Sequence, residues 1–186
     1  TSMKFDYVIG NPPYQEVDGG SGASATPVYN KFIEETKTLN PTAMSFIIPA
    51  KWYSGGKGLD KFREQMLNDK RMAVLVDYPN SLDVFPNVDV AGGVCYFVWA
   101  KSHEGKCYYI NYRDGVKTFE YRDLNEFSTF IRYPIAAEIV KKVRLKGEQT
   151  LDTIVSSRKP FGLATNVKPL KAGDIQLRFN GGIGPY

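Results

Sequence analysis

The sequence predicts an α/β fold built on a doubly wound parallel sheet. Short continuous apolar runs, typical of buried parallel strands, alternate with amphipathic segments of helical period along the first hundred residues. An order of strand, helix, strand, helix and strand favours parallel strands covered by helices. The chain has 186 residues, of which 42% are hydrophobic, so it can form one domain or a domain and a half with a real core.

Proline and glycine mark where the predicted elements begin and end. The first strand ends at Asn11-Pro12-Pro13, because each proline fixes φ and donates no backbone hydrogen bond. Pro27 opens the first helix, and Asn40-Pro41 ends it. The intervening segment, 15–26, is rich in Gly, Ser and Ala and predicts a loop. The expected strands are 5–10, 43–49, 72–77 and 90–101, and the expected helices are 27–39 and 59–68.

Beyond residue 101 the pattern changes. Asp114-Gly115, between the apolar runs 106–112 and 116–121, predicts a β-hairpin. An amphipathic helix is expected at 134–146. Its apolar face comprises Ile135, Ile139, Val140 and Val143. No apolar run reaches the roughly 18 residues that a membrane span needs.

The tetrapeptide Asn11-Pro12-Pro13-Tyr14 is the strongest candidate for a catalytic site. The Asn11 side-chain oxygen and the Pro12 carbonyl can accept the two N–H bonds of a bound amino group. The nitrogen lone pair would then point towards an electrophile. Tyr14 can stack on the planar group that carries this nitrogen. The residues alone leave open a plain Pro-Pro turn with Tyr14 packed in a core.

Residues 5–14, Phe-Asp-Tyr-Val-Ile-Gly-Asn-Pro-Pro-Tyr, resemble the catalytic motif of the amino methyltransferases that use S-adenosylmethionine. The likeness is closest to the N6-adenine DNA methyltransferases of restriction-modification systems, including the type IIG enzymes that join a nuclease to the methyltransferase. It implies that Asn11, Pro12, Pro13 and Tyr14 are catalytic, with Asn11 and Pro12 orienting the adenine amino group. Ile-Pro-Ala-Lys-Trp at residues 48–52 also resembles the family.

Val84-Phe85-Pro86 is the third match to this family. It implies that Phe85 and Tyr14 stack on opposite faces of an adenine that has been flipped out of double-stranded DNA. Another interpretation of Phe85 is an anchor for a loop under the sheet. Two other functions remain open: a protein-glutamine N5-methyltransferase, which shares the motif, and a DNA-binding fragment without activity of its own.

The resemblance implies an S-adenosylmethionine cofactor, with Tyr29 and Phe32 as neighbours of its pocket. The glycine-rich turn and acidic strand end that would bind this cofactor have no counterpart before Asn11. We therefore expect a fragment, the C-terminal half of a Rossmann-like S-adenosylmethionine-dependent methyltransferase sheet. Residues 3–101 would be a partial catalytic domain from the fourth strand onward, and residues 102–186 would open a DNA target-recognition region. We expect the isolated fragment to be inactive.

Positive charge is concentrated in the second half of the chain. Residues 1–100 hold 9 Lys and Arg against 11 Asp and Glu, net −2, whereas residues 101–186 hold 15 against 9, net +6. Basic residues there are interleaved with aromatic ones, as in Tyr121-Arg122, a mixture that suits DNA binding. A solvated basic face is the alternative. The candidate DNA-binding residues are Lys51, Arg113, Arg158 and Lys159.

The cysteines predict no metal centre. Cys95 and Cys107 lack the clustered spacing of a metal site, and we expect both to be reduced packing residues of a cytoplasmic protein. No metal requirement is expected for methyl transfer.

Overall fold

The structure is a computed structural model that describes residues 4–16, 26–56, 58–151 and 154–155. Within these ranges it contains six β-strands, three α-helices and two short 3-10 helices. The strands are β1 (Tyr7–Gly10), β2 (Ala43–Pro49), β3 (Met72–Tyr78), β4 (Val94–Ala100), β5 (Cys107–Arg113) and β6 (Val116–Arg122). The α-helices are α1 (Tyr29–Thr38), α2 (Asp60–Asn68) and α3 (Pro134–Leu145), and the 3-10 helices are Ala50–Tyr53 and Ser81–Asp83.

The strands form one mixed sheet in the order β1-β2-β4-β3-β5-β6. β1, β2, β3 and β5 run in one direction, whereas β4 and β6 run against their neighbours. The predicted α/β class is confirmed, but the sheet is not parallel throughout. Residues 79–93, which join β3 to β4, contain no α-helix, whereas a parallel return usually needs a helical crossover of a dozen or more residues. β4 therefore enters between β2 and β3 in the opposite direction.

One face of the sheet carries the hydrophobic core. Ile33 of α1 and Met66 of α2 are fully buried in it. The strands contribute Met44, Phe46, Ile48, Leu75, Phe97, Trp99 and Tyr109 to the same cluster. Side chains alternate between the two faces of a strand, so Ile9 and Phe119 lie on the opposite face, where both are exposed. The core thus lies between the sheet and the α1–α2 layer.

Two element starts differ from the prediction for local reasons. β4 begins at Val94 rather than at residue 90, because Gly92 and Gly93 have φ angles of +89° and +81°, which do not continue a strand. α1 begins at Tyr29, because Pro27 is held in an isolated β-bridge with residue 15. The loop before α1 is therefore tied to the segment that follows β1.

The predicted hairpin is present, and Asp114 and Gly115 both adopt the positive φ angles that its turn requires. α3 forms close to the predicted bounds, but most of its apolar face is exposed. The exposed members of that face are Ile135, Ile139 and Val143. A helical period indicates which side of a helix is apolar, but not whether described residues cover it.

The chain divides into two compact units, residues 1–139 and residues 140–186. The boundary expected after residue 101 falls inside the first unit, because β5 pairs with β3 and continues the same sheet. The assignment of residues 102–186 to target recognition stays a prediction. None of the helices within the described ranges is long and apolar enough to cross a membrane.

Candidate active site

The candidate site lies at one edge of the sheet. Because β1, β2, β3 and β5 share a direction, their carboxyl ends meet at this edge, which is where open α/β sheets bind ligands. Three segments leave the strands there: residues 11–16 after β1, residues 50–53 after β2 and residues 79–93 after β3. The predicted catalytic motif and the predicted stacking residue Phe85 are therefore at the same edge.

Asn11 and Pro12 provide two free acceptors at the end of β1. The Asn11 side chain is exposed, and no hydrogen bond joins it to the rest of the described chain. The Pro12 ring is buried, which fixes the turn, while its carbonyl accepts no backbone hydrogen bond from the described residues. Gly10 precedes them, and a Cβ at this position would lie 2.9 Å from Cε1 of Phe46. A glycine is thus needed for the chain to pass over Phe46 and reach the turn.

Tyr14 is held through its main chain and has a partly buried side chain. The Val28 N–H donates to its carbonyl oxygen at 3.3 Å, which joins the motif to the start of α1. The ring is half-buried, and its hydroxyl is buried without a hydrogen-bond partner in the described residues. Burial, together with the nearby Cys95 thiol, raises the pKa of Tyr14. Burial also raises the pKa of Cys95 to about 12, so both groups are protonated at neutral pH.

Phe85 lies in a loop that is braced from within. Its N–H donates to the Ser81 carbonyl at 2.8 Å. The Ser81 hydroxyl donates to the Val88 carbonyl at 3.1 Å and accepts from the Val90 N–H at 2.7 Å. The Phe85 ring is half-buried and contacts no other ring of the described chain. A braced loop with an unpaired, partly exposed ring fits a stacking role better than a fully buried anchor.

The two predicted cofactor neighbours differ in exposure. Tyr29 is 2% exposed and packs edge-on against Phe62, with ring centroids 5.9 Å apart. Its hydroxyl and the Asn30 side-chain oxygen are buried and have no partner among the described residues. Phe32 is 47% exposed on α1. Unpaired buried polar atoms therefore occur at Tyr29 and Asn30, at the start of α1.

Two of the four predicted DNA-binding residues lie at the same edge. Lys51 follows β2 and is exposed, without an ion-pair partner in the described ranges. Arg113 ends β5, lies 4.8 Å from the Tyr133 ring centroid and pairs with the exposed Asp114 at 3.2 Å. The other two, Arg158 and Lys159, lie outside the described residues.

Arg122 differs from the expected phosphate-binding side chain. It is 3% exposed and pairs with Glu120 and Glu126, each at 3.2 Å. Its guanidinium lies 4.8 Å from the Phe130 ring centroid. It is part of the interior and is not available to DNA.

Sequence reasoning missed a buried ion pair at this edge. Asp77, near the end of β3, is fully buried, and its Oδ2 lies 2.7 Å from Arg132 Nε. The Tyr109 hydroxyl and the Asn111 amide donate to the same carboxylate at 3.1 and 2.7 Å. Burial raises the pKa of Asp77, and Arg132, Tyr109 and Asn111 each act in the opposite direction. A charged residue at the end of an apolar strand was the available signal, but nothing local identified its partners.

No group of three or more His, Cys, Asp or Glu side chains in the described part of the chain is arranged to hold a metal ion. Cys95 and Cys107 are buried and unpaired. Burial raises the pKa of Cys107, like that of Cys95, to about 12.

The solved structures that are similar to this chain include two from type I restriction-modification systems. One is the type I restriction-modification methyltransferase subunit from Streptococcus thermophilus, with 15% identity and a TM-score of 0.43 over 79% of this chain and 33% of that one. The other comes from a study of assembly and conformational transition in a type I restriction-modification system, with 16% identity and a TM-score of 0.45 over 77% and 29% of the two chains.

The sequence matches are more specific. A protein named "Uncharacterized adenine-specific methylase" from Mycoplasma pneumoniae is 35% identical over 107 residues, which are 56% of this chain and 25% of the relative. The chain thus spans a quarter of the length of that relative. The model of the Eco57I restriction-modification methylase family matches residues 1–85, which contain Asn11 to Tyr14 and Phe85. Residues 1–85 therefore match the Eco57I restriction-modification methylase family, which confirms the methylase resemblance that the sequence indicated.

Proposed function

We propose that this chain is part of a DNA methyltransferase of a restriction-modification system, which methylates the N6 amino group of an adenine with S-adenosylmethionine as donor. The observation that carries the proposal is the pair of free acceptors, Asn11 and Pro12, on a rigid turn at the ligand-binding edge of the sheet. The family match to residues 1–85 supports the reaction class, and the name of the Mycoplasma relative supports adenine as the base.

The turn acts on the amino group of adenine. This nitrogen is conjugated to the ring and is a poor nucleophile, so its two N–H bonds must be held for the lone pair to face a methyl group. The Asn11 side-chain oxygen and the Pro12 carbonyl accept these bonds. Positive charge develops on the nitrogen as the new N–C bond forms, and both oxygens stabilise it. The methyl–sulfur bond of the donor would break in the same step, and its electron pair would leave with the neutral thioether. The nitrogen then releases one proton to solvent and becomes the neutral methylamino group.

Tyr14 and Phe85 hold the base in this proposal. Both rings are half-buried at the ligand-binding edge, and each offers an exposed surface. An adenine paired in a duplex cannot reach a turn at the edge of a sheet, so the enzyme must extrude it. Stacking on an aromatic side chain contributes about 1–3 kcal/mol per base, which offsets part of the unstacking.

The residues at the start of α1 fit one side of a cofactor site. The buried Tyr29 hydroxyl and Asn30 side-chain oxygen are unpaired within the described residues, so a bound polar molecule could satisfy them. Tyr29 and Phe32 would contact S-adenosylmethionine, whose sulfonium group supplies an activated methyl. This chain's own part is to orient the amino group and the base.

Double-stranded DNA is the proposed partner. Lys51 and Arg113 are exposed at the site edge, and the net charge of +6 in residues 101–186 supports a contact with phosphates. We place the protein in the cytoplasm, where the buried Cys95 and Cys107 stay reduced.

Methyl transfer by the full-length protein tests the proposal. The purified enzyme is offered double-stranded DNA and a glutamine-bearing protein substrate side by side, with labelled S-adenosylmethionine, and the methyl group is located by mass spectrometry. N6-methyladenine is the expected product. Methylglutamine with unmodified DNA would show that the motif acts on a different amino group, and no labelled product on either substrate would reject the activity.

A further inference from the structure

We propose that Arg132 is a positioning residue that fixes the loop carrying Phe85, residues 79–93, against the sheet. The inference rests on the proposed function in so far as Phe85 binds the base. Arg132 lies outside the part of the chain that matches the methylase family and follows the hairpin, yet its side chain reaches the site edge. It touches no reacting atom in this proposal and acts through the loop.

The anchor for Arg132 is rigid and buried. Nη2 of Arg132 donates a hydrogen bond to Oδ1 of Asp77 at 2.9 Å, and Nε lies 2.7 Å from Oδ2 as an ion-pair contact. Lysine has no planar guanidinium and cannot make this contact and also reach a second acceptor in the same way. Asp77 is fully buried at the end of β3. The single proton of the Tyr109 hydroxyl is shared between the Arg132 carbonyl, 2.7 Å away, and Asp77 Oδ2, 3.1 Å away, so Tyr109 contacts both the main chain of Arg132 and the carboxylate that binds its side chain.

The same guanidinium reaches the Phe85 loop. Nη2 of Arg132 donates to the Gly92 carbonyl at 2.8 Å, directly before β4. The next residue, Gly93, has φ +81°, and a Cβ there would lie 2.1 Å from the Tyr78 carbonyl oxygen, so this backbone is tightly packed. The Ala50 N–H donates to the Gly93 carbonyl at 3.0 Å. The end of the loop is therefore held by the 3-10 helix after β2 and by Arg132 together.

The start of the loop is fixed by β3, and its middle by Ser81. Because the start, the middle and the end of the loop are all held, Arg132 helps to restrict the position of Phe85 relative to the sheet edge. A second contact supports this placement: the Arg132 guanidinium lies 5.2 Å from the ring centroid of Tyr53, in the segment after β2. The Arg132 side chain thus contacts the end of β3, the segment after β2 and the loop that bears the stacking ring.

Arg132→Lys in the full-length protein tests the inference, with Arg122→Lys as matched control. Both arginines are partly or fully buried, ion-paired and set against an aromatic ring, but Arg122 makes no contact with residues 79–93 in the described structure. Tyr109→Phe is the milder second variant, because it removes the hydroxyl that fixes Arg132 and Asp77 without removing a charge. Amide hydrogen exchange of residues 84–93, melting temperature, and kcat and KM for DNA methylation are measured for each variant.

For Arg132→Lys we expect faster amide exchange in residues 84–93. We also expect kcat to fall by about tenfold, because one hydrogen bond from a charged group is lost, while KM for DNA changes by less than about twofold. Tyr109→Phe should show the same pattern more weakly. Arg122→Lys should lower the melting temperature with no change in loop exchange or kcat.

Unchanged loop exchange in Arg132→Lys would overturn the inference, as would equal exchange and kcat losses in Arg122→Lys. Faster exchange with an unchanged kcat would also overturn it, since the loop would then be held for a reason unrelated to the reaction. If the wild-type protein makes no N6-methyladenine, the proposed function fails, and the exchange data report separately whether Arg132 holds the loop.

Discussion

Replacing Asn11 by alanine isolates the central chemical claim. The side chain is exposed and has no hydrogen-bond partner within the described residues, so Asn11→Ala should change the free energy of unfolding by no more than about 0.5 kcal/mol. The substitution removes one of the two acceptors proposed for the adenine amino group. A hydrogen bond to a group that carries charge contributes about 1.5–3 kcal/mol, equivalent to roughly 10–150-fold in rate.

The loss of orientation adds to this direct effect, because the amino group then keeps a single acceptor. Removal of one preorganised contact at a developing charge commonly lowers kcat by about 10²–10³-fold. We therefore expect Asn11→Ala to lower kcat by at least about 100-fold. The affinity for DNA should change little, because the phosphate and stacking contacts that supply most of it are intact.

The assay is a single-turnover measurement of N6-methyladenine by mass spectrometry, with DNA affinity measured separately by fluorescence anisotropy. Gln15→Ala is the matched control, because Gln15 is another exposed amide on the same segment, directly after Tyr14. Gln15→Ala should keep the wild-type rate. An Asn11→Ala enzyme within about threefold of the wild-type rate would refute the role of Asn11 as the amino-group acceptor.

Three further predictions concern the stacking ring, the turn and the opposite end of the sheet. Phe85→Leu should lower kcat/KM by roughly 5–150-fold, the value of one base stack. Gly10→Ala should lower the melting temperature by roughly 2–12 °C, because its Cβ would overlap Phe46 and overpacking a core costs about 1–3 kcal/mol. Asp69→Asn should destabilise the protein by about 2 kcal/mol or more at pH 7, since its carboxylate, 7% exposed, binds Lys37 and Arg71 at 2.8 and 2.7 Å.

Each of these has a control that shares its surroundings. Val88→Ala, on the Phe85 loop, should leave kcat/KM unchanged, and an equal loss there would argue against stacking by Phe85. A Cβ at Gly55 would meet no atom within 4 Å, so Gly55→Ala should have the melting temperature of the wild type. If Gly10→Ala also has the wild-type melting temperature, the contact with Phe46 is not restrictive. Asp114→Asn keeps the turn and changes an exposed carboxylate, so it should show little pH-dependent loss.

The destabilisation caused by Asp69→Asn should depend on pH in a defined direction. Burial raises the pKa of Asp69, but hydrogen bonds from Arg71, Lys37 and Trp99 outweigh it, so the folded-state pKa lies below the unfolded value near 3.9. The stabilisation is therefore complete above about pH 4 and is lost as the pH falls through the folded-state pKa. The difference in melting temperature between wild type and Asp69→Asn should narrow below about pH 4. A constant difference would mean that packing, and not charge, explains the loss.

Features that depend on neighbouring residues could be predicted from the sequence, whereas strand pairings and contacts between distant residues could not. β2 was expected at residues 43–49 and has those bounds, because a continuous apolar run between two prolines specifies a strand by itself. The end of β1 at Asn11 follows likewise from Pro12 and Pro13. The direction of β4 depends on the absence of a crossover helix in residues 79–93, which no period in the strand itself reveals.

The site shows the same division. Asn11 and Tyr14 could be proposed from the sequence because the chemistry suggested for them is contained in four consecutive residues. Arg132 could not be, because its meaning depends on Asp77, which lies 55 residues earlier, and on the Gly92 carbonyl, 40 residues earlier. In the sequence, Arg132 is one of several arginines beside aromatic residues and suggests phosphate binding. Only the fold shows that its guanidinium binds Asp77 and the Gly92 carbonyl within the protein.

The position of Arg132 also bears on the predicted division between a catalytic region up to residue 101 and a target-recognition region after it. β1 and β3 are separated by β2 and β4, so their ends are about 14 Å apart at ordinary strand spacing. A base held between Tyr14 and Phe85 needs rings only about 7–8 Å apart. For Tyr14 and Phe85 to bind one base, the loop after β3 must therefore extend towards β1 and be held in that position. One contact that can hold it comes from Arg132, which binds the Gly92 carbonyl and is itself contacted by Tyr109. The region beyond residue 101 therefore helps to build the proposed active site, whatever else it recognises.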